Sequence, residues 1–188
     1  MELRPDRFKL MLPLPVMVIT TVDGKGIANA APYSCVMPIL RQLDLIAIAS
    51  ALPRDTLRNI RETREFVVNV IGAPSFNEAM MTARNYPADV DELEEVGLET
   101  VSSKNVAPPR IEDALGWIEA VLEKEITGEN HVLVIGRVVC AEMNDSYCED
   151  GALKEMPMLM LGPHYRLTGQ SIGDVRETMK LFLKDTTP

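Results

Sequence analysis

A chain of 188 residues, 46% hydrophobic and 25% charged, has the balance of one globular domain with a sizeable core. Its formal net charge of −9, from 28 acids against 19 bases, excludes the basic footprint that nonspecific nucleic-acid binding needs, although a small anion can still find a locally positive site. No uninterrupted apolar stretch reaches membrane-spanning length, and "MELRPDRFKLMLPLP" scatters charges and prolines where a signal peptide would be apolar, so a cytoplasmic protein is expected.

Val16 to Val22 reads as a strand, and Asp23-Gly24 between apolar runs signals a hairpin. The return strand carries "NAAPYS", Asn29 to Ser34, with small residues and a proline where branched and aromatic side chains are the norm. A turn after a short strand is the plain reading, and Pro32, which cannot donate to a ladder, is expected to end the pairing. Cys35 follows; with Cys140 and Cys148 it makes three cysteines at no metal-ligand spacing, expected as reduced thiols. Two histidines without HExxH or CxxC argue against a dedicated metal site.

Residues 44 to 50, "DLIAIAS", form a further strand with large and small residues on opposite faces. A helix over Asp55 to Thr63 follows, with Asp55 as its N-cap, and then a strand from Glu65 to Ile71 interrupted by Asn69. Ser75 and Glu78 have capping-box spacing, which predicts a helix to about Asn85. The acidic stretch Asp89 to Glu99 reads as a solvated helix or loop, with a binding feature as the alternative, and residues 99 to 113 as an extended connector. "GWIEAVLEKEI" alternates, with Glu119, Glu123 and Glu125 on the polar face, and "HVLVIGRVVCAEM" is a long strand that would bend at Gly136. A short amphipathic helix is expected from Gly173 to Lys184. Strands before, between and after two helices, without βαβ alternation, predict a mainly β fold: a single-domain antiparallel barrel with peripheral helices.

Walker, Rossmann and nucleophile-elbow motifs are missing, and few acid–base residues cluster, so difficult chemistry would fall to a cofactor. The anion candidate is "SALPRDTLRNI": Ser50 ends a strand, Thr56 opens a helix, and Arg54 adds charge. An Asp-capped helix with a surface arginine is the plain alternative.

The blocks "VITTVDGKGIANAAPYS", "RDTLRNIRETREFVVNV", "GLETVSSKNVAPPRI" and "HVLVIGRVV", in this order, resemble the flavin reductase-like family of FMN-binding split barrels, over roughly residues 10 to 170. The resemblance implies a six-stranded Greek-key barrel that pairs as a homodimer, with FMN at or near the interface and NADH or NADPH as possible electron donor. It implies that Asn29, Ala30, Ala31, Pro32, Tyr33 and Ser34 line the flavin ring. It also implies that Ser50, Ala51, Arg54 and Thr56 hold the phosphate. Asn69 either approaches the cofactor or is satisfied by a neighbouring loop, and Asn59 fixes the helix against the barrel. His131 matches a histidine near the nicotinamide side, a catalytic candidate, but Gly128-Glu129-Asn130 replaces the family's Gly-Asp run. An aromatic in "LGPHYRL" would either cover the flavin or pack. Three functions stay open: an NAD(P)H-dependent FMN oxidoreductase, a flavoredoxin-like electron carrier without NAD(P)H activity of its own that is served by another reductase as its redox partner protein, and a non-redox split-barrel binding module.

Overall fold

The computed structural model describes residues 2–169, so the helix expected from Gly173 to Lys184 lies outside the described residues. Seven strands form the main sheet: β1 (Met17–Val22), β2 (Ala28–Tyr33), β3 (Val36–Pro38), β4 (Leu45–Ala51), β5 (Glu65–Val70), β6 (Gly116–Thr127) and β7 (His131–Met143). Their spatial order is β2-β1-β5-β6-β7-β4-β3, antiparallel throughout. The edge strands β2 and β3 are consecutive in the chain, and only Ser34 and Cys35 separate them. The sheet must therefore curl until its two edges are neighbours, which makes it a split barrel. Strand β4 lies beside β7 and not β5, a Greek-key relation. Six strands are expected from the sequence; the seventh is the three-residue β3.

The β1–β2 turn is built as its sequence suggests. Asp23 Oδ1 accepts from Lys25 N at 2.8 Å and Ile27 N at 2.9 Å, and Gly26 takes φ 87°.

Strand alternation divides the apolar residues into two cores. Ile19, Ile48, Phe66, Val68, Val132 and Val134 fill the barrel interior, and Leu57 and Ile60 of α1 (Asp55–Thr63) plug it. Val18, Ala28, Ala30, Ile71 and Ile111 face outward and are covered by α2 (Phe76–Met81) and α3 (Glu92–Val96) through Ala79, Leu93 and Val96. The pairing of β6 with β7 shifts register between Ile135 and Gly136. A Cβ on Gly136 would clash with the Phe66 ring at Cζ, so glycine lets that ring reach the interior here.

Three local expectations are corrected. Asp55 does not cap α1: Arg54 occupies the N-cap position without a side-chain cap, and the Asp55 carboxylate accepts from Arg58 at 2.5 Å. Ser75 is the N-cap of α2, but its hydroxyl reaches Asp113 O at 3.3 Å and makes no cap bond, and the helix ends at Met81. Glu119 does not face solvent: it is fully buried, accepting from Arg110 Nε at 2.7 Å, Lys104 N at 2.8 Å and Asn105 N at 2.7 Å. The connector before β6 folds over the outer face of the strand and turns the polar side of the alternation inward.

Arg110, also buried, donates to Glu142 at 2.6 Å and lies 5.1 Å from the centre of the Trp117 ring, whose Nε1 donates to Ile111 O. Trp117 thus clamps the connector to β6. No helix of the described residues is long and apolar enough to cross a membrane.

Candidate functional site

A cleft of about 560 Å³ opens where the β2 edge, the start of α1 and the segment after α2 converge. Asn29 to Tyr33 form one wall, Ala51 and Pro53 to Thr56 the second, and Thr82 to Tyr86 the third; Glu92 of α3 completes it.

The β2 wall follows from strand geometry. Ala30 N–H points away from β1 and donates to Glu92 Oε2 at 2.8 Å. In an antiparallel strand the next outward backbone position is two residues on, at Pro32, which has no N–H to leave unpaired. Pro32 does not end the pairing, as the sequence suggests it should: it stands opposite Val18, and Tyr33 still pairs with Met17. The bare edge therefore offers carbonyl oxygens and a flat backbone between small side chains.

The second wall carries the start of α1. Helix α1 begins without a side-chain cap, so its first N–H groups and the positive end of its dipole meet the cleft beside Arg54. A chain of hydrogen bonds ties this helix end to β2. Asn59 Nδ2 donates to Thr21 Oγ1 at 3.2 Å, and Thr21 Oγ1 and Thr56 Oγ1 both donate to Asn29 Oδ1, at 3.3 and 3.0 Å. Asn59 therefore fixes the helix against the barrel.

The expected site residues separate into two groups. Asn29, Ala30, Ala31, Pro32, Tyr33, Ala51, Arg54 and Thr56 line the cleft together. Ser34, Ser50, Asn69 and His131 are not among its lining residues. Ser34 lies in the β2–β3 link. Ser50 is buried behind the wall, its hydroxyl 3.0 Å from Tyr33 Oη. Asn69 points to the outer core, where Val18 O, Thr20 Oγ1 and Ile111 N satisfy its amide at 3.0, 3.2 and 2.8 Å. His131 is exposed at the start of β7, opposite Ala51 in register, with Nδ1 3.1 Å from Asn130 Oδ1. Tyr165 packs on Phe76, ring centroids 5.0 Å apart. Cys35, Cys140 and Cys148 are free, and the described residues hold no group of three or more metal-ligating side chains.

Residues 9–168 match the flavin reductase like domain. The chain belongs to this family. A relative from Methanothermobacter thermautotrophicus, an uncharacterized protein, is 43% identical over 160 residues, covering 80% of this chain and 76% of its own. Among solved structures, nitrilotriacetate monooxygenase component B from Bacillus cereus superposes with a TM-score of 0.81 at 27% identity, over 92% of this chain and 98% of its own. Flavoredoxin from Methanosarcina acetivorans reaches a TM-score of 0.83 at 18% identity, over 97% and 98% of the two chains, and shows the shared split-barrel fold.

The sequence reading missed two parts of this cleft. One is the Thr82–Tyr86 wall, which brings Arg84 and Tyr86. The other is Glu92, read as part of a solvated acidic stretch. In "DELEEVGL", Asp91 caps α3 through Leu93 N and Glu94 N, Gly97 ends it in the left-handed region, and Leu93 and Val96 face the core. That pattern is the signal that would have revealed a packed helix with Glu92 turned inward.

Proposed function

We propose that the protein is an FMN-binding oxidoreductase that takes electrons from NADH or NADPH and passes them to a second acceptor. The observation that carries this reading is the uncapped start of α1 beside Arg54, at one end of a cleft whose adjoining wall is a bare strand edge. A flavin phosphate fits the first and a flat ring system fits the second, so the residues present suit the group. Arg54 and the first N–H groups of α1 would hold the phosphate, with the Asp55 carboxylate drawn aside to Arg58. Ala30 and Pro32 carbonyls would accept from the ring, and Ala31 keeps the approach clear. Tyr33, anchored through Ser50, would hold that wall in place. Bound flavin would supply the hydride- and electron-accepting chemistry, the protein supplying binding and orientation. A homodimer is expected to complete the assembly.

One observation favours a second reading, a carrier without NAD(P)H activity of its own that is served by a redox partner protein. His131 is held by Asn130 outside the cleft lining and follows an altered run. The absorbance spectrum of the purified protein, with an FMN titration, tests flavin binding; a colourless protein that ignores micromolar FMN overturns both. Anaerobic bleaching by NADH or NADPH supports the reductase. Bleaching by dithionite alone selects the carrier.

A further inference from the structure

Glu92 is 7% exposed, and its Oε2 holds the Ala30 N–H on the face of β2 that borders the cleft. Its side chain also lines a second, small space of about 10 Å³, shared with Asn29, Asp55 and Asn59 and about the least that admits a water molecule. Asn59 is 1% exposed, and among the described residues its Oδ1 has no hydrogen-bond partner although its amide nitrogen donates to Thr21. A buried acceptor left without a donor is costly, so this space favours a group that brings a proton. Burial pushes the Glu92 carboxyl up to about 7, against the Ala30 N–H and the Asn29 side chain, and Asp55 and Asp91 add to the push. Asp23, from the β1–β2 turn, borders the small space; Arg54, Arg58, Arg84, Tyr33 and Tyr86 border the cleft. Arg58 is already paired with Asp55.

We propose that Glu92 is the proton-holding positioning residue of this cleft, taking up a solvent proton when the phosphate-bearing flavin binds. The added negative charge disfavours a second anion in the same cleft. The proton joins Oε1 while Oε2 keeps the Ala30 N–H, and no bond to the flavin forms. The Ala30 backbone is thereby held in one position at either protonation state. This assignment rests on the flavin reading, and its test separates the two.

FMN binding is measured by calorimetry at pH 7 in two buffers of different ionisation enthalpy, on the wild type and on Glu92→Gln, the isostere of the protonated acid. A carboxyl that titrates at about 7 is half protonated there, so the wild type should take up about half a proton more per FMN than Glu92→Gln does. Comparison with Glu92→Gln subtracts the phosphate's own titration. Between pH 6 and 8 the wild-type Kd should also rise relative to that of Glu92→Gln, by at most about tenfold per pH unit. Equal proton uptake in the two proteins overturns the role of Glu92 and leaves the flavin reading intact. Absence of saturable FMN binding to the wild type overturns both. If Glu92→Gln does not fold, infrared difference spectra of 13C-glutamate-labelled wild type on adding FMN decide. A gained protonated-carboxyl band supports the assignment, and none overturns it.

Discussion

The Tyr33 hydroxyl stands 3.0 Å from the Ser50 hydroxyl, joining the β2 edge to β4 across the split of the barrel. Either hydroxyl can donate to the other, and Ser50 Oγ also stands 3.2 Å from Ala51 O. Tyr33→Phe removes that hydrogen bond and should lower stability by about 0.5–1.5 kcal/mol in urea denaturation. Ser50→Ala should cost a similar amount, and the double variant less than the sum of the two. Additive losses would mean that the hydroxyls do not act on each other.

Arg54→Ala should weaken FMN binding by roughly tenfold or more, since a charge-assisted bond is worth ~1.5–3 kcal/mol. Riboflavin, which lacks the phosphate, should bind both proteins alike. Fluorescence titration with the two ligands checks this, and an equal loss for both would move the phosphate away from α1.

Arg110→Met leaves the Glu119 carboxylate buried without its guanidinium partner. Removing one member of such a pair typically costs about 3–5 kcal/mol, and the loss should appear as a large fall in the denaturation midpoint. A fall below about 1 kcal/mol would show that the Lys104 and Asn105 N–H groups suffice for Glu119.

Two carboxyls give stability opposite dependences on pH. Hydrogen bonds from Lys104 and then Arg110 hold Glu142 down at about 2, below its ordinary 4.5. Its contribution is therefore present above 4.5 and lost as pH falls towards 2. Burial raises Glu92 to about 7, so the folded state binds the extra proton and stability is lost as pH rises from 4.5 through 7. Midpoints measured across this range should show Glu142→Gln reducing the acid-side loss. Glu92→Gln should flatten the slope towards neutral pH.

The strands and α1 were legible because their signals are local: alternation in β6 and β7, Asp-Gly at the hairpin, and the Leu57 and Ile60 spacing. The family blocks placed most of one cleft wall in advance. What sequence could not carry are pairings made over long separations. Glu119 sits on the polar side of a clean alternation, and only the fold-back of Lys104 to Arg110 buries it. Glu92 meets its partner Ala30 across 62 residues of chain. Asn69 left two readings open in the sequence, beside a cofactor or satisfied by a neighbouring loop, and its partners Ile111 N, Val18 O and Thr20 Oγ1 on the outer face give the second. Asp55 has the composition of a cap, but it is the first residue inside the helix, after Arg54 at the N-cap position, and its carboxylate pairs with Arg58 one turn on.

The outward groups of β2 also bear on solubility. An open sheet edge is a template for another strand, and proteins guard such edges against stacking with neighbouring molecules. Here Ala30 has its N–H occupied by Glu92, and Pro32, the next outward position, has none to give. An incoming strand would find two successive rungs of its ladder missing. The edge can stay uncovered enough to admit a small flat molecule and still refuse a peptide, so openness to a ligand does not bring a tendency to aggregate.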